Sequence, residues 1–526
     1  MEDRRLGVLV IITGGNIGLV ATTDKRGNTV LGPVSKEHIG RIVLGEEGGT
    51  SVLLREGSLQ GTSVSVGFDD IREQKRKYSD PEELDSAQVD PQLWAYLAEK
   101  IKENYDKFEG FVVLHGLDTM AYTASALAFM LPNLQTPIIL TGSQRPLNYP
   151  RTDATQNIFS ALTLAASASL GIRPLIPEVC VYSYDTLYRG NRVSMVNASS
   201  YRSFDSPNFP PLGTVGEHID IQTHLVREPS QTRVLNVKAK VDAKVVILDV
   251  FPGMDAGIIS SLTKDRALRG VLLRTYGMGT APTSPAVLSA LQKLTENKIV
   301  VMNVTQARSG RISHGSDPVS LRLFEQGVIS GIDMTAEAAY AKMVVLSSDQ
   351  SVSDDVADLL QIETCGEQSL SIYTIHFAAG ETKEDEGEAS ARAFLRPIKS
   401  VTQSHQIQID RIRHIQLRIL GVAPALPEEG KPVNRTIELE AFLVDPHAEP
   451  RPGQKSAAFH LKTDILRWSA RGRPTINIAY DITFGRDRLL SPDQIPSSIL
   501  QLETNEPIRW RRLNILIYHS IDGESV

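Results

Sequence analysis

Cysteine is nearly absent: Cys180 and Cys365 are the only two in 526 residues. That scarcity excludes a disulfide framework and any cysteine-based metal spacing. Long apolar runs are missing too, and no stretch approaches the ~20 residues needed to span a bilayer. Residues 1–7 run directly into the short apolar stretch Val8–Ile12, without the longer apolar segment and small-residue cleavage site of a secretory signal. The expectation is a cytoplasmic protein with no membrane partner. Positive charge is not in excess, since 55 Lys and Arg against 62 Asp and Glu leave a net charge of -7. This argues against nucleic acid as a chain-wide partner, a role that needs a basic face. Internal repeats are absent, and His405, His414 and His460 have no ligand spacing, so no metal is expected.

What the chain does have is length and an ordinary globular composition, 41% hydrophobic and 22% charged. At about 100–200 residues per domain, that length predicts three domains. Up to about residue 220, apolar runs alternate with amphipathic stretches. Leu6–Ile12, Phe111–Leu114 and Pro137–Leu140 read as strands; Pro91–Tyr105, capped by Asp90, Ala121–Leu131 and Asn157–Ala168 read as helices. Such alternation implies βαβ units and a mostly parallel sheet, with ligands at the carboxyl ends of the strands. The polar loops Thr13–Gly18 and His115–Thr119 belong at that edge. Residues 221–243 read as a linker. A second α/β domain spans 244–370, with strands at Val245–Asp249, Gly270–Leu273 and Ile299–Asn303 and helices at Ser284–Thr295 and Thr335–Leu346.

From about residue 371 to 526 the period changes to two. Ile407–Ile409, Ile415–Ile419, Ile437–Glu440, Ile476–Ile478 and Leu513–Ile517 alternate between Pro- and Gly-rich turns. The acidic run Glu381–Glu388 reads as a solvated loop. Half-buried strands between such turns predict an antiparallel, sandwich-like all-β domain. Arg509-Trp510-Arg511-Arg512, Arg467-Trp468 and Arg471-Gly472-Arg473 fit two readings. They form a contact surface for a protein, glycan or nucleic acid, or they are strand positions whose arginines face solvent and whose tryptophans face the core.

Several short motifs occur in order. Ile12-Thr13-Gly14-Gly15-Asn16-Ile17-Gly18, Leu114-His115-Gly116-Leu117-Asp118-Thr119-Met120 and Leu140-Thr141-Gly142-Ser143-Gln144-Arg145-Pro146 lead. Arg189-Gly190-Asn191-Arg192, Ser206–Pro211, Pro252-Gly253, Leu273–Gly277 and Gly331–Thr335 follow. As a set, over residues 7–365, they resemble the type I (cytoplasmic) bacterial L-asparaginases. The resemblance implies two α/β domains, the larger first, in dimers or tetramers whose subunits complete each other's sites. It implies amide hydrolysis through an acyl-enzyme, without metal or organic cofactor. In the family a threonine of the first motif attacks, helped by a loop tyrosine. A second threonine, backed by an aspartate and a lysine, serves the second nucleophile.

At those positions this chain departs from the pattern. The attacking threonine is Asn16, the second threonine is Leu117, the lysine is Met195 and the loop tyrosine is Asn28. An amide is no substitute for an activated hydroxyl, and neither Leu117 nor Met195 can pass a proton. Thr13, Asp118 and Thr119 are retained. Asp85 and Ser86 match the pair that holds the substrate's charged ends, although Asp85 can equally cap a turn. Arg274, Ser194 and Ala307 stand where the family carries an arginine, a threonine and a cysteine of a separate effector site. A guanidinium there suits a carboxylate, and it suits an interface equally.

No catalytic residue is therefore expected to be competent. The chain reads as a pseudoenzyme serving as a structural subunit of a homo-oligomer or larger assembly, with a protein partner reached through 371–526. Two further readings stay open. One is an amino-acid sensor using the vestigial or effector pocket; the other is an amidohydrolase with a displaced nucleophile at Thr13 or Thr119.

Overall fold

The computed structural model describes residues 6–23, 27, 29–33, 51–54, 62–70, 86–172, 175–229, 235–312 and 318–377. Beyond these it describes the backbone of the later strands and, of their side chains, Leu516 alone. Asn28, Asp85, His405, Ile407–Ile409 and the Arg471–Arg473 turn lie outside the described residues. Contacts divide the chain into two units. One comprises residues 1–313, 330–354 and 364–368; the other comprises 314–329, 355–363 and 369–526.

The first unit opens with β1 (Leu6–Ile12), β2 (Leu19–Thr23), β3 (Thr29–Pro33), β4 (Ser51–Leu54), β5 (Thr62–Asp70) and β6 (Phe108–Leu114). It continues with β7 (Ile138–Thr141), β8 (Val179–Ser183), β9 (Thr186–Arg189), β10 (Ser194–Met195), β11 (Phe204–Asp205), β12 (Gly213–Val215) and β13 (Ile219–Ile221). Nine of these form one sheet in the order β13-β12-β9-β8-β7-β6-β1-β5-β4. Its centre is parallel: β1 lies between β5 and β6, and β6, β7 and β8 continue side by side. Strands covered on both faces must be apolar throughout, and Val8–Ile12, Phe111–Leu114 and Ile138–Leu140 are accordingly buried.

The helices begin where their caps dictate. In α1 (Pro91–Asn104) the Asp90 carboxylate accepts from Leu93 N, and Pro91 occupies the first position, where its missing N–H costs nothing. Helix α2 (Leu117–Met130) starts four residues before the sequence expectation of Ala121. Gly116, in extended conformation, ends the loop at once, and Asp118 in the first turn complements the helix dipole. Helix α3 spans Ala154–Ala165. The hairpin β2–β3 and the strands β4 and β5 add to the expected elements.

Three parallel strands, β14 (Lys244–Asp249), β15 (Leu268–Thr275) and β16 (Val300–Thr305), carry the second α/β block. Around them lie α4 (Ala256–Leu262), α5 (Pro285–Glu296) and α6 (Ala336–Ser348). Ser284 and Thr335 cap α5 and α6 through their hydroxyls. Buried ion pairs tie the blocks and loops of this unit together. Arg192 meets Asp333 at 3.1 Å, Arg189 meets Glu178 at 2.6 Å, and Lys342 of α6 meets Glu367 at 2.6 Å.

The second unit carries antiparallel sheets. Ile412–Pro424 pairs with Ile476–Ile482 and with Arg512–Ser520, which in turn pairs with Leu370–Phe377. Arg435–Val444 pairs with Ala458–Trp468 and Ile499–Thr504, with Ala391–Leu395 beyond. The acidic run expected as a loop instead enters strands at Gly380–Glu381 and Lys383–Glu384. The register sets Glu381 opposite Arg509, and Lys383 and Glu384 opposite Arg392 and Ala391, so backbone pairing draws these positions into ladders.

Candidate active site and its neighbouring charge cluster

Three loops and one short turn converge at the carboxyl ends of β1, β6 and β7. The approach is so close that glycine is required at the contact. Gly15 has φ of 75°, and a Cβ there would lie 2.2 Å from Gly116 Cα. A Cβ on Gly116 would in turn lie 2.4 Å from Ser86 Oγ. Only backbone of this kind lets the two loops and Ser86 meet.

Thr13 is buried, and its hydroxyl donates to Leu114 O at 2.9 Å, stitching β1 to β6 beyond the ladder. Asn16 opens a short 3-10 turn and is exposed. Its Nδ2 donates to Gln144 O at 3.0 Å. The loop that carries Gln144 is itself held by Asp153, whose carboxylate accepts from Gln144 N and Arg145 N. Leu117 is 9% exposed, and its Cδ2 lies 2.7 Å from where a Cβ on Gly142 would stand. Thr119 donates its hydroxyl to Ser86 O at 2.7 Å, while Ser86 Oγ reaches Asp118 Oδ2 at 3.5 Å.

The structure thus brings Thr13, Asn16, Ser86, Leu117, Asp118 and Thr119 to one sheet edge. Met195 is half-buried on β10 opposite Phe204 and offers a thioether, without charge or proton. Gly27, between β2 and β3, has φ of 84°. Behind the site, His115 is fully buried. Its Nδ1 lies 2.8 Å from Gly116 O and its Nε2 lies 3.0 Å from the Thr123 hydroxyl, which accepts from Trp94 Nε1 at 3.2 Å. Burial lowers its pKa to about 4, partly countered by the Gly116 carbonyl. His115 is a satisfied structural imidazole.

The second set of sequence candidates also meets. Ser194 donates to Glu337 Oε2 at 2.9 Å, and Arg274 Nη1 lies 3.0 Å from Asp249 Oδ1. Gln306 Nε2 donates to Arg274 O at 2.7 Å and to Val250 O at 2.6 Å, which sets Ala307 at the end of the strand beside Arg274. Ala307 N donates to Thr305 Oγ1 at 3.0 Å. Burial raises the Glu337 carboxyl, against the hydrogen bonds and the Arg274 charge that lower it. Tyr122 is pushed up to about 12 by burial and by the Glu337 charge. The buried Arg274 Nε has no hydrogen-bond partner. Glu337, Asp249 and Tyr122 escape sequence reasoning because they join the cluster from separate elements, with no local pattern to flag them. Gln306 lies beside the Ala307 position, and its role is legible only from the fold.

Among the described residues there is no group of His, Cys, Asp and Glu able to hold a metal, and no helix is long and apolar enough to cross a membrane. A family model described as "Asparaginase, N-terminal" matches residues 7–227, and "Glutaminase/Asparaginase C-terminal domain" matches residues 244–360. L-asparaginase 1 of Escherichia coli strain K12 is 37% identical over 284 residues, 54% of this chain and 82% of that protein. The human 60 kDa lysophospholipase is 38% identical over 287 residues, 54% of this chain and 49% of that protein. The crystal structure of L-asparaginase I from Vibrio cholerae superposes with a TM-score of 0.57 at 31% identity, covering 70% of this chain and 100% of that one.

Proposed function

The chain belongs to the asparaginase family, and from that membership we propose that it is a non-catalytic member acting as a structural subunit of a self-associating assembly. The observation that carries the reading is Asn16. Where the family pattern calls for an attacking hydroxyl, this chain has a carboxamide whose nitrogen is already engaged with Gln144 O at 3.0 Å. Leu117 fills the adjoining position with a side chain that can neither hold water nor relay a proton, and Met195 brings no charge. Losses within one catalytic unit are not additive, so the loss of one member already costs nearly as much as the loss of all, and here three are missing.

A displaced nucleophile has little support. The Thr13 and Thr119 hydroxyls each donate to a backbone carbonyl, Leu114 O and Ser86 O, and not to a base that would activate them. An amino-acid-sensing role has one specific observation in its favour, the unpartnered Arg274 Nε beside Ser194 and Glu337. Against it, Asp249 already supplies a carboxylate to the same guanidinium.

Assembly as the purpose of the core follows from a retained framework without its chemistry, joined to a β-rich segment, residues 371–526, that offers surface for a protein partner. No cofactor enters this reading. Ammonia release from asparagine and glutamine tests it. The expected rate equals that of buffer, for the native chain and for Thr13→Ala and Thr119→Ala alike. Turnover that disappears in either variant would sink the proposal.

A further inference from the structure

The amino end of the second α/β block carries a cluster of cations that the reading above does not use. Strands β14, β15 and β16 run parallel in that order, so the turns that enter β15 and β16 emerge side by side. The helices before those turns, α4 and α5, pack against each other and end at the same edge. Lys264 and Arg266 lie in the turn between α4 and β15, and Arg269 is the second residue of β15. Lys293 lies in the last turn of α5, and Lys298 in the turn into β16. All five are exposed, and none pairs with a carboxylate among the described residues. Asp265 is engaged with Lys244 at 2.5 Å and Asp242 with Lys240 at 3.5 Å. Against the five stands Glu296 at the end of α5, which leaves four positive charges in excess.

The helix ends do not account for this excess. Each C-terminus presents about half a negative charge, so the two together balance about one of the four. Lys298 is an independent sign. It follows the C-cap Asn297 with φ of 60°, its N–H donates to Thr295 O at 3.1 Å, and Ile299 N donates to Leu294 O at 3.0 Å. Glycine is the ordinary residue at that left-handed position. A lysine there is strained by more than its charge gains from the helix end.

The chemistry around the cluster narrows the partner. Residues 263–267 and 297–298 include no aromatic and no exposed large apolar side chain, so nothing there stacks on a base or anchors in a hydrophobic partner. Charge density decides between polyanions. Neighbouring strands lie about 4.8 Å apart and packed helices about 8–10 Å, so the cluster is on the order of 10 Å wide. A nucleic-acid duplex carries one charge per about 1.7 Å, whereas an extended acidic peptide carries at most one per about 3.3 Å. Asp242 and Asp349 flank the β14 side, where Ala243 N donates to Ser348 Oγ. A flat anionic membrane would press on those carboxylates, while a duplex strand passes beside them.

We propose that this edge binds the phosphate backbone of a nucleic-acid duplex without reading its sequence. The net charge of -7 over the whole chain keeps the contact local and sensitive to salt. None of the candidate-site residues takes part, so the inference stands or falls apart from the scaffold reading.

The full chain is titrated into a fluorescein-labelled DNA duplex of arbitrary sequence and followed by anisotropy. With about four phosphates neutralised, affinity is expected to fall about 100-fold between about 50 and 200 mM salt. Lys264→Gln/Arg266→Gln/Lys298→Gly is expected to weaken binding at least about 100-fold at the lower salt. Lys100→Gln/Lys102→Gln/Lys107→Gln, with the same change in net charge, should leave it within about threefold. Lys298→Gly alone separates charge from fold. It should weaken binding about tenfold while raising the thermal midpoint, because glycine fits the left-handed position. No anisotropy change at about 50 mM salt, binding indifferent to salt, or equal losses in the two triple variants would overturn the proposal. So would tighter binding to phosphatidylserine vesicles or to poly-L-glutamate, which assigns the edge to a membrane or to an acidic peptide. Should the first triple variant unfold, Lys298→Gly and Lys264→Gln decide singly by the same tenfold loss.

Discussion

At the scale of single residues, polar groups in the candidate site are spent on holding backbone. Thr13 and Thr119 each close a contact between loops, and the Asn16 amide does the same for the loop of Gln144. Restoring one catalytic side chain should therefore restore nothing. Asn16→Thr alone is expected to leave ammonia release at background, and Asn16→Thr/Leu117→Thr/Met195→Lys is the first variant in which a rate should emerge. Activity in the single variant would mean that the remaining machinery is intact. His115 carries a second prediction at this scale. Its folded pKa is about 4 against 6.5 when free, because burial disfavours the charged ring. The unfolded chain thus binds a proton that the native one refuses. Stability is complete above pH 6.5 and falls as pH drops from 6.5 towards about 4, by about 3 kcal/mol at most. Urea midpoints measured across that window should slope less in His115→Gln than in the native chain, and equal slopes would contradict the assignment.

At the scale of elements, the turn of residues 364–367 is held by one buried charge pair. Burial opposes ionisation of Glu367, but the Lys342 ammonium at 2.6 Å outweighs it and keeps the carboxyl well below its ordinary range. The same carboxylate accepts from Thr364 N and Cys365 N, at 3.1 Å and 2.9 Å. Removing only the cation strands a buried anion, so Lys342→Met should cost about 3–5 kcal/mol. Lys342→Met/Glu367→Gln should recover part of that loss, since a neutral amide oxygen still accepts from the turn. Chemical denaturation gives the ordering, and a double variant as weak as the sum of the singles would reject it. Because the folded carboxyl is depressed, its contribution is present above pH 4.5 and lost as pH falls towards about 2.

Elements differ in how far the chain announces them, and the physical reasons are local. Leu6–Ile12 is a continuous apolar run closed by Gly14 and Gly15, and its bounds agree with the strand observed. Helix α5 is signalled by Ser284 and Pro285 at its start. By contrast, β2 ends in Ala21-Thr22-Thr23, where apolar alternation is too weak to mark a strand, and only the partner β3 makes it one. The loops of the candidate site are legible because glycines and polar residues follow strands. Which of their side chains touch is not, since Ser86 meets Thr119 across 33 positions and Ser194 meets Glu337 across 143.

For the whole molecule, self-association is the property on which the structural role depends, and the second α/β block offers a defined surface for it. Asp249 and Arg274 are register partners on β14 and β15. The loops that leave those strands therefore emerge side by side. Phe251 follows one and Met278 the other, 45% and 58% exposed, with Ile258 of α4 at 39%. Large apolar side chains grouped at one strand edge are costly to leave in water and mark contact surfaces. A second copy of this block is the partner we expect there. Placing carboxylates in such a contact removes apolar anchors and buries unpaired charge, so Phe251→Glu/Met278→Glu should weaken association by at least about 100-fold. Both side chains are already largely exposed in the single chain, so the thermal midpoint of the dissociated variant should stay close to that of the native protein. Mass photometry and sedimentation across nanomolar to micromolar concentration separate the outcomes. A native chain that remains monomeric at micromolar concentration removes the basis for a scaffold. A native oligomer unaffected by the double substitution moves the contact to another surface and leaves the scaffold reading standing.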